Sequence, residues 1–385
     1  MFIPTFQGLA ATDFLRVPGR RTLRFPFDVP HLSFYRARNA IYFLARMLKA
    51  RRLQLTVLVP DYNSGNEILA LQAAGAKLQY YAVGADGQLD SPEIESLCER
   101  YRPDVLYIIH YLGWPQPISR LSEVCRRSGI VMIEDCALAL LSDAGSQPLG
   151  TQGDFSVFCL YKTLPLPNGA CLVKSDDAYL NDLEMTQPEL RQAGAPSVLG
   201  RTADLVVRRM RCRSQLLGHA MQSMKTAAGR AMGAMEISRA NVGDLGFNPD
   251  ETDLAMSGVS LRLLERLDVH WIRDRRIANY RMLHELLEGI VTPLHDDLPD
   301  GVCPLFYPIL VEDKPAFARE ARASGIDVLE FWNYGAHQSE VKNEGPHARY
   351  LRAHVLGLPI HQDLTERHIE YMAQRISHLD HYRAN

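Results

Sequence analysis

Between Arg38 and Lys174 the hydrophobic positions switch repeatedly between helical and extended spacing. Arg38 to Ala50 carries Ile41, Phe43, Leu44 and Leu48 near helical intervals and predicts a helix, and the run LQLTVLVP from Leu53 to Pro60 predicts a strand. Ser64 to Ala74 is the next predicted helix. Lys77 to Val83 and Asp104 to Ile109 predict buried strands bounded by Gly75, Gly84 and Pro103. The helix between them starts at Ser91-Pro92-Glu93 and runs to Arg102. Pro117 to Ser128 predicts a further helix, and Ile130 to Ile133, Phe155 to Leu160 and Ala170 to Lys174 predict three more strands. Strands separated by helices of this length form a mostly parallel sheet covered on both faces, an α/β fold.

After about Ser175 the order changes. Asp176 to Gly246 has little strand character, and Leu261 to Leu287 predicts one long helix. PLFYPILV from Pro304, a helix through Phe317 to Ser324, a short IDVLEFW run and a last helix from Thr365 predict a small α/β domain. The expected division is an N-terminal arm over 1–30, rich in proline, and a large domain over 31–250 with an atypical helical part at 175–250. The long helix and small C-terminal domain then fill 251–385.

Composition removes several function classes. A chain of 385 residues that is 46% hydrophobic and 23% charged has material for a large core, so disorder is not expected. A net charge of −3 gives no field that draws the whole molecule to nucleic acid or to an anionic membrane. Apolar runs are too short to span a bilayer, and Met1 to Ala10 lacks a basic segment followed by an apolar one, so a cytoplasmic protein is expected. The seven cysteines are scattered and never spaced CxxC, which argues against a disulfide framework and a structural zinc. His378 and His381 read as a surface pair, and no metal is expected.

In an open parallel sheet ligands bind at the carboxyl ends of the strands, and three polar features fall there. Arg36-Ala37-Arg38-Asn39 opens a helix, whose free N–H groups and positive dipole end suit a phosphate, with Arg38 adding a charge. An exposed basic turn fits the same stretch. Asp135, in Ile133-Glu134-Asp135-Cys136, follows a hydrophobic strand and can pair with a protonated ring nitrogen or cap a helix. Lys162, in Tyr161-Lys162-Thr163 just past the strand FSVFCL, can form an imine or simply lie in solvent.

Read together, the segments FYRARNAIYFLAR, VLVPDYNSGNEILALQAAGA, IIHYLGWPQPI, VMIEDCALAL, GTQGDFSVFCLYKTLPLPNGACLV and VLGLPIHQDL resemble the DegT/StrS family of pyridoxal-phosphate (PLP) dependent aminotransferases. The resemblance implies the PLP-dependent transferase fold type I: a large domain with a mostly parallel seven-stranded sheet between helices, plus a small α/β domain. It implies Lys162 as the residue that carries PLP and Asp135 as the partner of the pyridine nitrogen. The expected cofactor contacts are Ala37, Arg38, Asn39, Tyr62, Ser64, His110, Ala137 and Cys159, besides that pair. Several positions depart from the family pattern. Leu138 stands where Gln or His is usual, and Cys159 replaces a phosphate-binding Ser. Arg36-Ala37-Arg38 replaces a Ser-Gly-Thr turn, and Ser64 stands where an aromatic ring stacks, with Tyr62 as a neighbouring candidate. His110 matches a His of many relatives, with a cofactor contact and a structural hydrogen bond both open.

The implied activity is transamination, from an amino acid such as glutamate to a keto-acceptor such as a keto-sugar, in a homodimer. Relatives that dehydrate sugars carry His in place of the lysine, and Lys162 counts against that branch. Another PLP reaction on the same fold and a non-catalytic ligand-binding member are the alternatives. One segment stands outside the resemblance. Residues 201–239 are strongly basic, with apolar residues at helical intervals, and fit either helices packed across the dimer with their basic residues in solvent or a surface for a membrane-bound or phosphorylated acceptor.

Overall fold

The extended runs pair into one sheet in the computed structural model, which describes residues 1–15, 17, 23–175, 189–214, 246–332 and 344–382. Its principal strands are β1 (His31–Phe34), β2 (Leu55–Pro60), β3 (Ala76–Tyr81), β4 (Val105–Ile109) and β5 (Val131–Asp135). After a small separate hairpin of β6 (Asp143–Ala144) and β7 (Gln147–Pro148) come β8 (Phe155–Cys159) and β9 (Ala170–Lys174). These seven principal strands meet the expectation. Two-residue strands β10 (Arg191–Gln192) and β11 (Leu254–Ala255) extend one edge, so the sheet has nine, in the order β10-β11-β1-β9-β8-β5-β4-β2-β3. β3, β2, β4, β5 and β8 pair parallel, and β9 runs antiparallel between β8 and β1. Every position of β4, β5 and β8 is buried, as parallel strands with both faces covered require.

The helices on these faces are α1 (Ala37–Lys49), α2 (Asn66–Ala73), α3 (Ser91–Tyr101) and α4 (Ser119–Ser128), followed by the one-turn α5 (Leu160–Thr163) and α6 (Ala195–Arg213). The Asp90 side chain starts α3 by accepting from Glu93 N at 3.1 Å. The predicted single helix over Leu261 to Leu287 is two helices, α7 (Gly258–Leu264) and α8 (Val269–Leu287). Asp268 breaks it by capping the second, accepting from Trp271 N at 2.9 Å. The apolar period runs on across the break because Leu263, Leu264, Leu267 and Ile272 bury in one cluster, which hides the break from the pattern.

A second sheet, order β12-β13-β15-β14, holds β12 (Thr292–Pro293), β13 (Tyr307–Leu310), β14 (Leu329–Glu330) and β15 (Val355–Leu358), all antiparallel. It carries α9 (Lys314–Ala323), α10 (Pro346–His354) and α11 (Glu366–Ile376). Only two residues of the IDVLEFW run form a strand. Phe331 and Trp332 leave it, with Trp332 in the left-handed region at φ 51° and its carbonyl held by Arg352 Nη1 at 2.7 Å.

The first residues of the chain tie both sheets to the Lys162 turn. Ile3 exchanges backbone hydrogen bonds with Gly325 and Asp327, and Pro4 O meets His361 Nε2 at 2.9 Å. Gln7 Nε2 donates to the carbonyls of Tyr161, Lys162 and Leu164 at 3.2, 3.3 and 2.9 Å. Arg276 of α8, 1% exposed, then locks Gln7. Its guanidinium donates to Gln7 Oε1 at 3.1 Å, Thr163 O at 3.2 Å and Leu305 O at 3.0 Å.

Of the basic stretch 201–239, residues 215–239 lie outside the described residues. In the described part, Leu205, Val207 and Cys212 are buried, Arg209 pairs with Asp363, and Arg211 lies over the Phe2 ring at 4.0 Å. These two basic side chains are thus engaged within the chain and do not simply lie in solvent. Among the described residues no helix is long and apolar enough to cross a membrane.

The Arg276 lock generates a stability prediction. Arg276→Met keeps the volume but strands Gln7 Oε1 and the Leu305 carbonyl and leaves Thr163 O only the 3.4 Å contact from Gln362, and should lower unfolding free energy by about 3 kcal/mol. Urea unfolding with an unchanged slope measures it, and a loss below about 0.5 kcal/mol, the size of a neutral surface change, would show that the lock is not needed.

Candidate active site

The carboxyl ends of β1, β2, β4, β5 and β8 open on one side of the sheet, and the main cavity lies there. Seven of the ten residues expected at the site line it: Ala37, Arg38, Ser64, Asp135, Ala137, Cys159 and Lys162. Leu138 lines it as well.

Asp135 is the last residue of β5, and alternation along the strand sends it and Glu134 in opposite directions. Glu134 turns away to hold loops. Its Oε1 accepts from Gln152 N and Gly153 N, and its Oε2 meets His110 Nε2 at 3.0 Å. Asp135 faces the cavity, 6% exposed. Tyr107 Oη donates to its Oδ2 at 2.6 Å and Ala137 N to its Oδ1 at 2.8 Å. Burial pushes the Asp135 carboxyl above the usual range, while these two donors and the charge of Lys162 pull it back.

Lys162 sits in the turn of α5, directly after β8. The loop that follows is pinned by Asn168, which exchanges hydrogen bonds with Ser257 at the start of α7. Gly169 closes it at φ 135°, where an added Cβ would meet the Met256 side chain at 2.9 Å. Among the described residues no group accepts a hydrogen bond from the Lys162 amine. Its charge reaches both Asp135 and Cys159.

Three expected contacts lie outside the cavity lining. Asn39 donates to Glu251 O at 2.6 Å, beside an ion pair between Arg36 and Glu251. Tyr62 is 2% exposed and packs on Trp332 with ring centres 4.9 Å apart, so it stands behind the Trp332 side chain that does line the cavity. His110 is fully buried, and its Nδ1 accepts from Gln116 N at 3.0 Å. With Nδ1 an acceptor, Nε2 carries the proton toward Glu134, a structural arrangement. His110, Glu134 and Cys136 are the one His/Cys/acid cluster of metal-binding size among the described residues. Its imidazole and carboxylate are already occupied by the hydrogen bonds just described.

The structure adds residues that local sequence patterns did not single out. Glu67 lines the cavity, buried, and accepts from Ser64 N at 2.7 Å and from the Ser64 hydroxyl. Burial first, and then the neighbouring Asp135, push its carboxyl up. Tyr107 was hidden inside an apolar strand. Arg201 and Arg208 of α6 also line the cavity, with Phe6, Phe306, Phe331 and Trp332 supplying apolar wall. Burial lowers Arg201, and its Nε is buried without a hydrogen-bond partner.

Over 139 residues, 32% of this chain and 36% of the relative, the sequence is 26% identical to dTDP-4-dehydro-2,3,6-trideoxy-D-glucose 4-aminotransferase of Saccharopolyspora spinosa. It is 24% identical over 127 residues to GDP-perosamine synthase of Vibrio cholerae, covering 32% of this chain and 35% of that one. The matched stretch thus spans about a third of the length of these curated relatives. Likeness of fold extends over the whole chain. The sugar aminotransferase CalS13 from Micromonospora echinospora superposes with a TM-score of 0.66 at 19% identity, covering 98% of this chain and 99% of that one. Spr1654 from Streptococcus pneumoniae, in its PLP form, gives 0.67 at 15% identity over 99% of each chain. The fold is therefore that of the PLP-dependent aminotransferases. The model of the DegT/DnrJ/EryC1/StrS aminotransferase family matches residues 46–377, and the chain belongs to that family.

Proposed function

We propose that the protein is a PLP-dependent aminotransferase that moves an amino group from an amino acid, glutamate, to a keto-acceptor, a keto-sugar of polysaccharide or natural-product synthesis. The observation that carries this reading is the Lys162 amine, with no hydrogen-bond acceptor among the described residues, sharing one cavity with the buried Asp135 carboxylate in a chain of this family. The names of the relatives, two of which act on or make nucleotide-linked sugars, support the substrate class.

The donor set suits the cofactor. Asp135 offers a buried carboxylate whose remaining lone pairs have no cationic hydrogen-bond partner among the described residues, the complement of a pyridinium N–H. Ala37 and Arg38 open α1 on the wall of the same cavity, where an anion is favoured. When bound, PLP supplies an electron-withdrawing ring that stabilises negative charge on the carbon beside the donor amine. Asp135 holds the proton on the ring nitrogen, and Tyr107 and Ala137 N hold Asp135. Lys162 Nζ would hold the cofactor and would be the base placed to move a proton from the donor α-carbon. Leu138, Ile109 and Trp332 exclude water from that transfer.

We read the molecule as a cytoplasmic homodimer. Seven free, buried cysteines support a reducing compartment, and exposed Leu199, Met210, Leu261 and Trp271 supply apolar surface for a partner copy.

Incubation of PLP-loaded protein with a panel of amino acids should convert the cofactor to its amine form with glutamate. Lys162→Ala should abolish both the borohydride-fixable cofactor and turnover, a loss of at least about a thousandfold. Borohydride fixation in Lys162→Ala would move the role to another lysine. PLP that no donor converts would favour ligand binding without turnover, the reading to which Leu138 and Cys159 lend weight.

Glu67 generates a pH prediction. A carboxyl raised in the folded chain adds stability that is complete below its unfolded value and is lost as pH rises through its folded value. Cofactor-free protein should therefore lose stability from the ordinary carboxylate range toward neutrality, and Glu67→Gln should shrink that loss. Urea midpoints at mildly acidic and neutral pH decide it, and an unchanged loss in the variant would show that Glu67 ionises normally.

A further inference from the structure

A guanidinium buried without a carboxylate is costly, and proteins keep one where an anion binds. Arg201, half-buried on the cavity wall, approaches that case. Among the described residues it has no ion pair, and its Nε is buried without a partner. The charges that act on it are a second cation, Arg208, and the weak acids Tyr161, Tyr35 and Cys159. Glu251 and Asp363 are already engaged by Arg36 and Arg209.

The position of Arg201 narrows the choice of anion. Tyr161 feels both Arg38 and Arg201, so the two guanidiniums approach the same corner of the cavity, beside Cys159 and the start of α1. Asp135 and Glu67, which act on each other, line the same cavity, and the charge of Lys162 reaches both Asp135 and Cys159. The cavity thus brings buried carboxyls, an amine and cationic side chains together. PLP has a group for each: a ring nitrogen, an aldehyde and a phosphate. At the cationic corner Cys159 offers only a thiol, a weak donor whose ionisation is further opposed by burial.

We propose that Arg201 grips the phosphate of the cofactor, with Arg38 and the first N–H groups of α1, and so replaces the hydroxyl donors that this chain lacks at Cys159 and at Arg36-Ala37-Arg38. The inference rests on the PLP reading above. It assigns a binding role to α6, an element that lies outside the motifs carrying the family resemblance.

Pyridoxal, which lacks the phosphate but keeps the aldehyde for Lys162, separates this role from a structural one. Titration of cofactor-free protein with each compound, followed by absorbance, gives the two affinities. Arg201→Gln should weaken PLP binding by about 10- to 100-fold, the effect of losing a charge-assisted contact, and leave pyridoxal binding unchanged. Adding Cys159→Ser to that variant should restore part of the PLP affinity. An equal loss for PLP and pyridoxal would overturn the proposal in favour of a packing role. Unchanged PLP affinity with a raised donor requirement in the half-reaction would overturn it in favour of the donor carboxylate. Wild-type protein that binds neither compound would sink the PLP reading itself.

Discussion

The site depends on the cost of keeping Asp135 charged with almost no water around it. Burial pushes its proton on, and Tyr107 Oη, Ala137 N and the charge of Lys162 oppose that. Each support comes from a different part of the sheet. Tyr107 stands on β4, Ala137 just past β5, and Lys162 past β8, so the charge is secure only when these three strands are in register. A slip of one residue between β4 and β5 would turn Tyr107 or Asp135 to the opposite face.

The same arithmetic reaches outward. Lys162 must be held near Asp135 without being neutralised by it, and the backbone does that work. Gln7 clasps three carbonyls around the lysine, Arg276 clasps Gln7, and Asn168 pins the loop beyond. None of these contacts consumes the amine. Glu67 adds a second carboxyl next to Asp135, and each opposes ionisation of the other. A cation held near both carboxyls would relieve that conflict.

Features set by neighbours in the chain were legible in the sequence. The strands β2, β4, β5, β8 and β9 announce themselves as apolar runs, and Asp135 and Lys162 stand where those runs end. Features set by distant residues were not. The short strand β1 lacks a long apolar run and exists because β9 and β11 flank it. The break before Asp268 is masked because both helices bury the same cluster. Asn39 and His110 look like site residues by position, yet Glu251 and Glu134, far off in sequence, claim their side chains. Arg201 lay in a basic stretch with no local mark to separate it from Arg209, which is paired with Asp363. Only the fold shows which arginine stays unpaired.

The central claim is that Asp135 keeps a proton on a bound pyridine ring. The most direct measurement is the nitrogen NMR shift of ring-labelled PLP bound to the protein at neutral and mildly alkaline pH. The account predicts a pyridinium shift throughout in the wild type and its loss in Asp135→Asn. A neutral-pyridine shift in the wild type, or a pyridinium that survives Asp135→Asn, would contradict it.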